Sequence, residues 1–191
     1  MSKTLSKGSI TLIAIGIVIL ILIGGTLTTY NGLVSKDEAA STAWSNLQAQ
    51  YQRRADLVPN LVNTVKGYAK HESETFENVV AARAKATQLS VDADNLTPER
   101  ARQILQAQGD LSTALGKLMA ISESYPELKA SENFSELQAQ LEGTENRIAE
   151  SRRLYNESVQ TFNTAVRRFP ANIAACPLYT SEAAHEAGRE A

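Results

Sequence analysis

The first apolar stretch of the chain, residues 8–30, reads GSITLIAIGIVILILIGGTLTTY and contains no charged residue. About 20 apolar residues in a helix, which rises by about 1.5 Å per residue, are enough to cross the hydrocarbon core of a bilayer. We therefore interpret residues 1–7 as a short basic N-terminus and residues 8–29 as a transmembrane helix in contact with membrane lipid. Tyr30 then lies where an interfacial aromatic residue is typical.

A cleaved signal peptide is the alternative interpretation of this N-terminus, because Lys3 and Lys7 precede the apolar run. The run is longer than the roughly 7–15 apolar residues of a signal peptide, and no Ala-x-Ala-like cleavage site follows it. Both features favour an uncleaved anchor. The basic residues before the span also favour a cytoplasmic N-terminus and an extracytoplasmic domain, since basic residues are enriched on the cytoplasmic side.

Beyond the anchor, apolar residues recur at steps of three and four from residue 40 to residue 169, which is the period of a helix with one buried face. The first stripe starts at Ala40 and continues to Ala86, the second starts at Ala101, and the third ends at Phe169. Because the links between the stripes are short, the pattern predicts an all-α fold. We expect residues 30–170 to form an elongated antiparallel bundle of three long helices.

Local signals predict the helix ends. The polar segment 90–97 is a predicted loop, Thr97 and Pro98 begin a helix, and the Tyr125-Pro126 pair ends it. Pro59 interrupts the first stripe, and it predicts either a kink near Ala55 or a full break that would give four helices. Residues 171–191 carry no stripe, and we expect this tail to be poorly ordered.

Several charged residues lie on or beside the apolar stripes, where an isolated charge would be costly to bury. We interpret these residues as structural ion pairs that fix the helix register, with a polar groove that accepts a partner as the alternative; they are Arg54, Glu72, Arg83, Glu145 and Arg152.

A second polar group surrounds Pro59 and is the candidate contact with a partner protein; it comprises Arg53, Arg54, Asp56 and Asn60. The alternative is that Arg53 and Asp56 pair with each other, because residues three apart on a helix are neighbours.

Composition and motifs argue against most chemistry. The net charge of −2 does not favour nucleic-acid binding, and a single Cys excludes an internal disulfide or a Cys-based zinc site. His71-Glu72 starts an HExxH pattern, but Thr75 replaces the second His. We therefore expect no catalytic, cofactor-binding or metal-binding residues and no enzyme activity. The alternative is an accessory subunit or atypical hydrolase that uses a carboxylate site between helices, formed by residues such as Glu72 and Glu145.

Several motifs in order resemble the LemA family of bacterial membrane proteins. They are YNGLV at 30–34, AWS at 43–45, QRRADLVPNLV at 52–62, VKGYA at 65–69, YPELK at 125–129 and LEGTENRIA at 141–149. The resemblance covers roughly the first 175 residues, and the tail CPLYTSEAAHEAGREA at 176–191 departs from it. It implies a single N-terminal transmembrane helix, an elongated helical domain and no established biochemical activity.

Together these observations predict a membrane-anchored helical scaffold or adaptor of the bacterial cell envelope. We expect a single-pass protein of the cytoplasmic (inner) membrane. Its expected partner is an unidentified envelope or membrane protein, or a second copy of the chain.

Overall fold

The computed structural model describes residues 7–91, 93, 96–169 and 171–174. Within these ranges the chain is almost entirely helical and has no strand. The elements in order are α1 (Lys7–Tyr68), α2 (Ser73–Gln88), α3 (Pro98–Ala120), a 3-10 turn (Ile121–Glu123), α4 (Pro126–Lys129), α5 (Glu132–Arg167) and α6 (Ala171–Ala174). The predicted all-α fold is confirmed.

Helix α1 runs without interruption from the apolar N-terminal segment into the bundle. Its apolar part presents large side chains outward, such as Leu12 and Leu20, which are 72% and 69% exposed. In the part of the chain that the structure describes, α1 is the one helix long and apolar enough to cross a membrane. Leu33 is 2% exposed and marks the level at which α1 begins to pack against other helices.

Neighbouring helices of the bundle run antiparallel. Along α1 and α5, the Trp44 and Tyr155 rings lie 5.2 Å apart, and the Arg54–Glu145 ion pair lies farther from the apolar segment. Helix α2 packs beside α1 and runs back toward the apolar segment. Helix α3 packs beside α2 and runs away from that segment, and the exposed Lys85–Asp110 ion pair joins α2 to α3. Four long helices therefore surround the core; of these, α5 accompanies α1 down to Leu33, where the short α6 also packs against α1.

The core consists of three apolar clusters along the bundle. The lower cluster, nearest the apolar segment, joins α1 to the end of α5 and to α6 through Leu33, Phe162, Val166 and Ala171. The middle cluster is built around Trp44, Tyr51 and Tyr155. The upper cluster fills the space between all four long helices, with Val58, Leu61, Val65, Val79, Leu111, Leu118 and Phe134 among its members.

The four-helix alternative is the one observed, but the chain breaks at residues 69–72 and not at Pro59. Pro59 is exposed inside α1, and the helix continues past it to Tyr68. Val65 and Ala69 before the turn, and Phe76 and Val79 after it, belong to the same apolar cluster. The stripe therefore keeps its spacing across the turn, which is why the sequence pattern does not show the break.

The other helix ends agree closely with the expected ones. Thr97 caps α3, because its hydroxyl accepts a hydrogen bond from the backbone N–H of Arg100 at 3.2 Å. Helix α3 ends at Ala120, earlier than expected, and a 3-10 turn continues the chain toward Tyr125. Ala171–Ala174 form α6, so the tail that the sequence predicts to be poorly ordered begins with a helical turn. Residues 175–191 lie outside the described residues.

Candidate functional site: a buried polar layer and two surfaces beside it

Arg54 is the most buried charged residue in the described part of the chain, with 2% of its surface exposed. Its Nη1 donates to Glu145 Oε1 on α5 at 2.7 Å. Its Nη2 donates to the carbonyl oxygen of Gln108 on α3 at 3.0 Å and to Gln108 Oε1 at 2.5 Å. We call Arg54, Gln108 and Glu145 the polar layer, since together they join α1, α3 and α5 at one level of the bundle.

Tyr51 connects the polar layer to Arg152 on α5. The Tyr51 ring lies 5.7 Å from the centre of the Arg54 guanidinium, close enough for a cation–π interaction. The Tyr51 hydroxyl accepts a hydrogen bond from Arg152 Nη2 at 3.3 Å. Arg152 thus contacts a neutral hydroxyl, whereas the sequence led us to expect an opposite charge.

Arg83 on α2 compensates for Pro59. A proline has no backbone N–H, so the carbonyl oxygen four residues earlier, on Ala55, loses its helical partner. Arg83 Nε donates to this oxygen at 2.7 Å. Arg83 therefore serves a backbone carbonyl and not the ion pair that we expected, and its bond stabilises α1 where proline would otherwise leave a buried acceptor unsatisfied.

Glu72 lies in the turn between α1 and α2 and is half-buried. It occupies the position before α2 without a capping hydrogen bond from its side chain. Arg54 and Tyr68 are separated by about 21 Å along α1, because 14 residues rise by about 1.5 Å each. Glu72 and Glu145 are therefore not brought together, and the structure gives no support to a catalytic carboxylate pair between them. In the ranges described, no group of three or more His, Cys, Asp or Glu side chains is placed to hold a metal ion.

The candidate partner residues around Pro59 divide between two environments. Arg53, Asp56 and Asn60 are exposed on one side of α1, and we call this set the contact face. Asp56 Oδ1 accepts a hydrogen bond from Gln52 Nε2 at 2.8 Å. Arg54 lies inside the bundle, so it supports the helix packing behind the contact face. A partner-binding role for the contact face stays a prediction.

An open groove of about 440 Å³ lies between α3 and α5 beside the polar layer. Leu115, Gly116 and Met119 line one wall, and Leu141 and Glu145 line the other. The Glu145 side chain is 37% exposed, so the carboxylate that pairs with Arg54 also faces this groove. Solvent therefore reaches the Glu145 side of the polar layer through this groove.

Between the polar layer and the apolar segment, the aromatic side chains of Trp44, Tyr51 and Tyr155 are buried in the core. Trp44 Nε1 donates to the carbonyl oxygen of Val91 at 3.1 Å, and the Gln48 side chain donates to the same oxygen, so α1 holds the beginning of the α2–α3 loop. Burial raises the pKa of Tyr155 to about 12. Tyr68, by contrast, is 43% exposed next to the turn at residues 69–72.

From the sequence alone, Gln108 is assigned no role in the site. The sequence does indicate an unusual position here, because Gln108 is polar and lies on the apolar stripe of α3 between Ile104 and Leu111. The two hydrogen bonds that it accepts require α3 to lie beside α1 at the level of Arg54. That relation depends on the α2–α3 hairpin and cannot be obtained from the stripes.

The fold and the site define the class: a bundle of helices joined to a candidate membrane-spanning helix, with an ion pair between the buried Arg54 and Glu145 inside the bundle. The LemA family model matches residues 43–188, and the chain belongs to the LemA family. The match extends beyond residue 175, where the resemblance was expected to end, and so includes most of the tail.

Curated relatives support the same assignment. The chain is 28% identical to the magnetosome protein MamQ of Magnetospirillum gryphiswaldense over 161 residues, which cover 75% of this chain and 59% of the relative. It is 26% identical to the protein LemA of Metamycoplasma hominis over 148 residues, covering 78% of this chain and 64% of the relative. The chain thus spans about three fifths of the length of these relatives.

Proposed function

We propose that the protein is a membrane-anchored scaffold or adaptor of the bacterial cell envelope, in which the bundle presents a contact surface at a fixed distance from the bilayer. The observation that carries this proposal is the continuity of α1. One helix of 62 residues includes both the candidate span and the first helix of the bundle, with no linker between them. The orientation of the bundle then follows the orientation of the span.

The rise of α1 sets the height of the contact face. Arg54 lies 27 residues beyond Leu27, where the apolar run ends, and a rise of about 1.5 Å per residue places it about 40 Å farther along the helix. Arg53, Asp56 and Asn60 are spaced by three and four residues, so they lie on one side of α1 at this level. We propose this contact face as the site where a partner protein binds.

The internal use of the buried charges supports a binding role over a catalytic one. Arg54 and Glu145 satisfy each other, and Arg83 satisfies the backbone at Ala55. These contacts stabilise the bundle behind the contact face. The proposal therefore includes no catalytic step.

The proposed location is the cytoplasmic membrane of a bacterium, with the N-terminus in the cytoplasm and the bundle outside it. The support is the basic residues before the span together with the LemA membership. The name of the magnetosome relative from Magnetospirillum gryphiswaldense supports a role as a component of a larger cellular assembly.

Site-specific photo-crosslinking tests the contact face. A photoreactive amino acid at Asn60 in the native bacterium should give one dominant adduct with an envelope or membrane protein. The same amino acid at Ala139, which is exposed at a similar height on α5, is the matched control and should not give that adduct.

The mass of the adduct distinguishes the partners. An adduct of twice the mass of the chain would identify a second copy as the partner at the contact face. Equal adducts at Asn60 and Ala139, or none at Asn60, would contradict a specific contact at this face.

A further inference from the structure

An open pocket of about 510 Å³ lies at the lower end of the bundle, between α1, the end of α5 and α6. We call it the membrane-proximal pocket. Its polar lining is Thr29, Lys36, Gln160, Thr161, Thr164 and Arg168. Two of these residues are cations, and none of the residues that line the pocket is acidic.

The pocket lies at the level where the apolar segment of α1 ends. Thr29 is two residues beyond Leu27, and Lys36 is about 13 Å beyond it along the helix. The headgroup region of a bilayer extends about 5–8 Å beyond the hydrocarbon core on each side. The long side chain of Lys36 can reach back toward this layer, as lysine side chains near membranes do.

Helix α5 brings a second basic side chain to the same level. Val166 and Leu33 belong to one apolar cluster, so the antiparallel α5 places Arg168 close to the level of Asn31. Phe169 follows and is 79% exposed. An exposed apolar ring beside a basic residue is a combination that binds at membrane surfaces. The pocket therefore opens among headgroups if α1 spans the membrane.

From this geometry we propose that the membrane-proximal pocket binds the phosphate-containing headgroup of an anionic phospholipid. Lys36 and Arg168 supply the positive charge, and the hydroxyls of Thr161 and Thr164 and the amide of Gln160 supply hydrogen-bond donors. A phosphodiester offers several acceptor oxygens, and Arg is suited to bind it. The proposal goes beyond the scaffold function, and it rests on the anchoring by α1 that the scaffold function also requires.

Spin-labelled lipids test the proposal on the full-length protein in phosphatidylcholine nanodiscs. Electron paramagnetic resonance measures the fraction of labelled lipid that the protein immobilises, for phosphatidylglycerol and for phosphatidylcholine separately. We expect preferential immobilisation of phosphatidylglycerol. Each of Lys36→Gln and Arg168→Gln should lower this preference about fivefold, since a basic residue near an anionic surface contributes about 1 kcal/mol.

Arg167→Gln is the matched control, because Arg167 is adjacent to Arg168 in sequence but does not line the pocket. It should leave most of the preference intact. If Arg167→Gln lowered the preference as much as Arg168→Gln, the attraction would be a diffuse surface effect and the pocket proposal would be wrong. Equal immobilisation of the two lipids by the unmodified protein would also overturn it.

Two further results separate the possible failures. A protein that does not enter nanodiscs would contradict the anchor itself, whereas an inserted protein without lipid preference would contradict only the pocket. Inorganic phosphate at the concentration of the labelled headgroups should not change the preference. If inorganic phosphate displaced the labelled lipid completely, the pocket would be a site for free phosphate, and the lipid assignment would be wrong.

Discussion

Arg54 shows how a charge is accommodated inside a narrow bundle. Its guanidinium makes one contact to a carboxylate, one to a backbone carbonyl and one to a side-chain amide, on two different helices. These three contacts can form together in only one alignment of the helices. A shift of α5 by one turn, about 5.4 Å, would separate Glu145 from Arg54. We therefore interpret the polar layer as a device that fixes register.

Replacing Glu145 with Ala should lower the free energy of unfolding by about 2–3 kcal/mol, because it leaves the buried Arg54 without its counter-charge. The expected loss is below the roughly 3–5 kcal/mol of a fully buried pair, since Glu145 is partly exposed. Urea unfolding in detergent, followed by the fluorescence of Trp44, measures this change; Trp44 is the single Trp of the chain and is buried.

Glu142→Ala is the control for this measurement. Glu142 lies one turn before Glu145 on α5, is exposed and accepts a hydrogen bond from Gln138 at 3.2 Å. Its loss should change the free energy of unfolding by no more than about 0.5 kcal/mol. An unchanged stability in Glu145→Ala would mean that the polar layer does not fix the register.

Tyr155 makes the stability dependent on pH in the alkaline range. Burial raises its pKa to about 12, whereas tyrosine in an unfolded chain has a pKa near 10. Because the unfolded chain loses this proton first, the stabilising contribution is complete below about pH 10 and is lost as the pH rises toward 12. The loss assigned to Tyr155 is about 2–3 kcal/mol.

Tyr155→Phe removes the titrating group and should flatten the pH dependence between about pH 10 and 12. Urea unfolding followed by circular dichroism at several pH values measures the difference from the unmodified protein. The substitution should not destabilise the protein at neutral pH, because the buried hydroxyl has no hydrogen-bond partner among the described residues. The same alkaline slope in both proteins would rule out this role of Tyr155.

At the level of the elements, the continuity of α1 depends on a residue of another helix. Arg83 on α2 donates to the Ala55 carbonyl that Pro59 cannot serve. Arg83 and Pro59 are 24 residues apart in the sequence, so the sequence could predict only a kink or a break. Whether α1 kinks or breaks at Pro59 depends on how α2 packs on α1.

A double-mutant cycle tests this compensation. Arg83→Met should cost about 1–2 kcal/mol of unfolding free energy, because it leaves the Ala55 carbonyl without a donor. In a Pro59→Ala background the new N–H at position 59 serves that carbonyl, so the cost should fall by about 1 kcal/mol. Urea unfolding of the four proteins measures the coupling.

Lys85→Met is the control for the cycle, because Lys85 lies on the same helix and forms an exposed ion pair with Asp110. It should show no coupling to Pro59→Ala. Equal costs of Arg83→Met in both backgrounds would show that Arg83 does not compensate for the proline.

Other element-level features could be predicted only in part. The apolar stripes identified most core positions, and Thr97-Pro98 located the start of α3 correctly. The turn at residues 69–72 was missed because α1 and α2 bury their apolar residues in one cluster across it. The charged residues in the stripes were visible, but the backbone partner of Arg83 and the hydroxyl partner of Arg152 required the register between helices.

For the whole molecule, one helix that links a candidate membrane span to a bundle determines where every other surface lies. The contact face then lies about 40 Å beyond the end of the apolar run, by the rise of α1. In the proposed arrangement, the membrane-proximal pocket lies beside the headgroups, because its residues follow the end of the apolar run. The sequence predicted the anchor and the bundle, but the pocket exists only because α5 and α6 return to the level of Leu33.

Cysteine labelling in intact cells determines on which side of the membrane the bundle lies. Cys176→Ser removes the single native Cys, and Ser124→Cys places one thiol in an exposed turn after α3. A membrane-impermeant maleimide, applied after any outer membrane has been opened, should label this thiol as fully as it does in lysed cells. Protection in intact cells with labelling only after lysis would place the bundle in the cytoplasm and contradict the proposed topology.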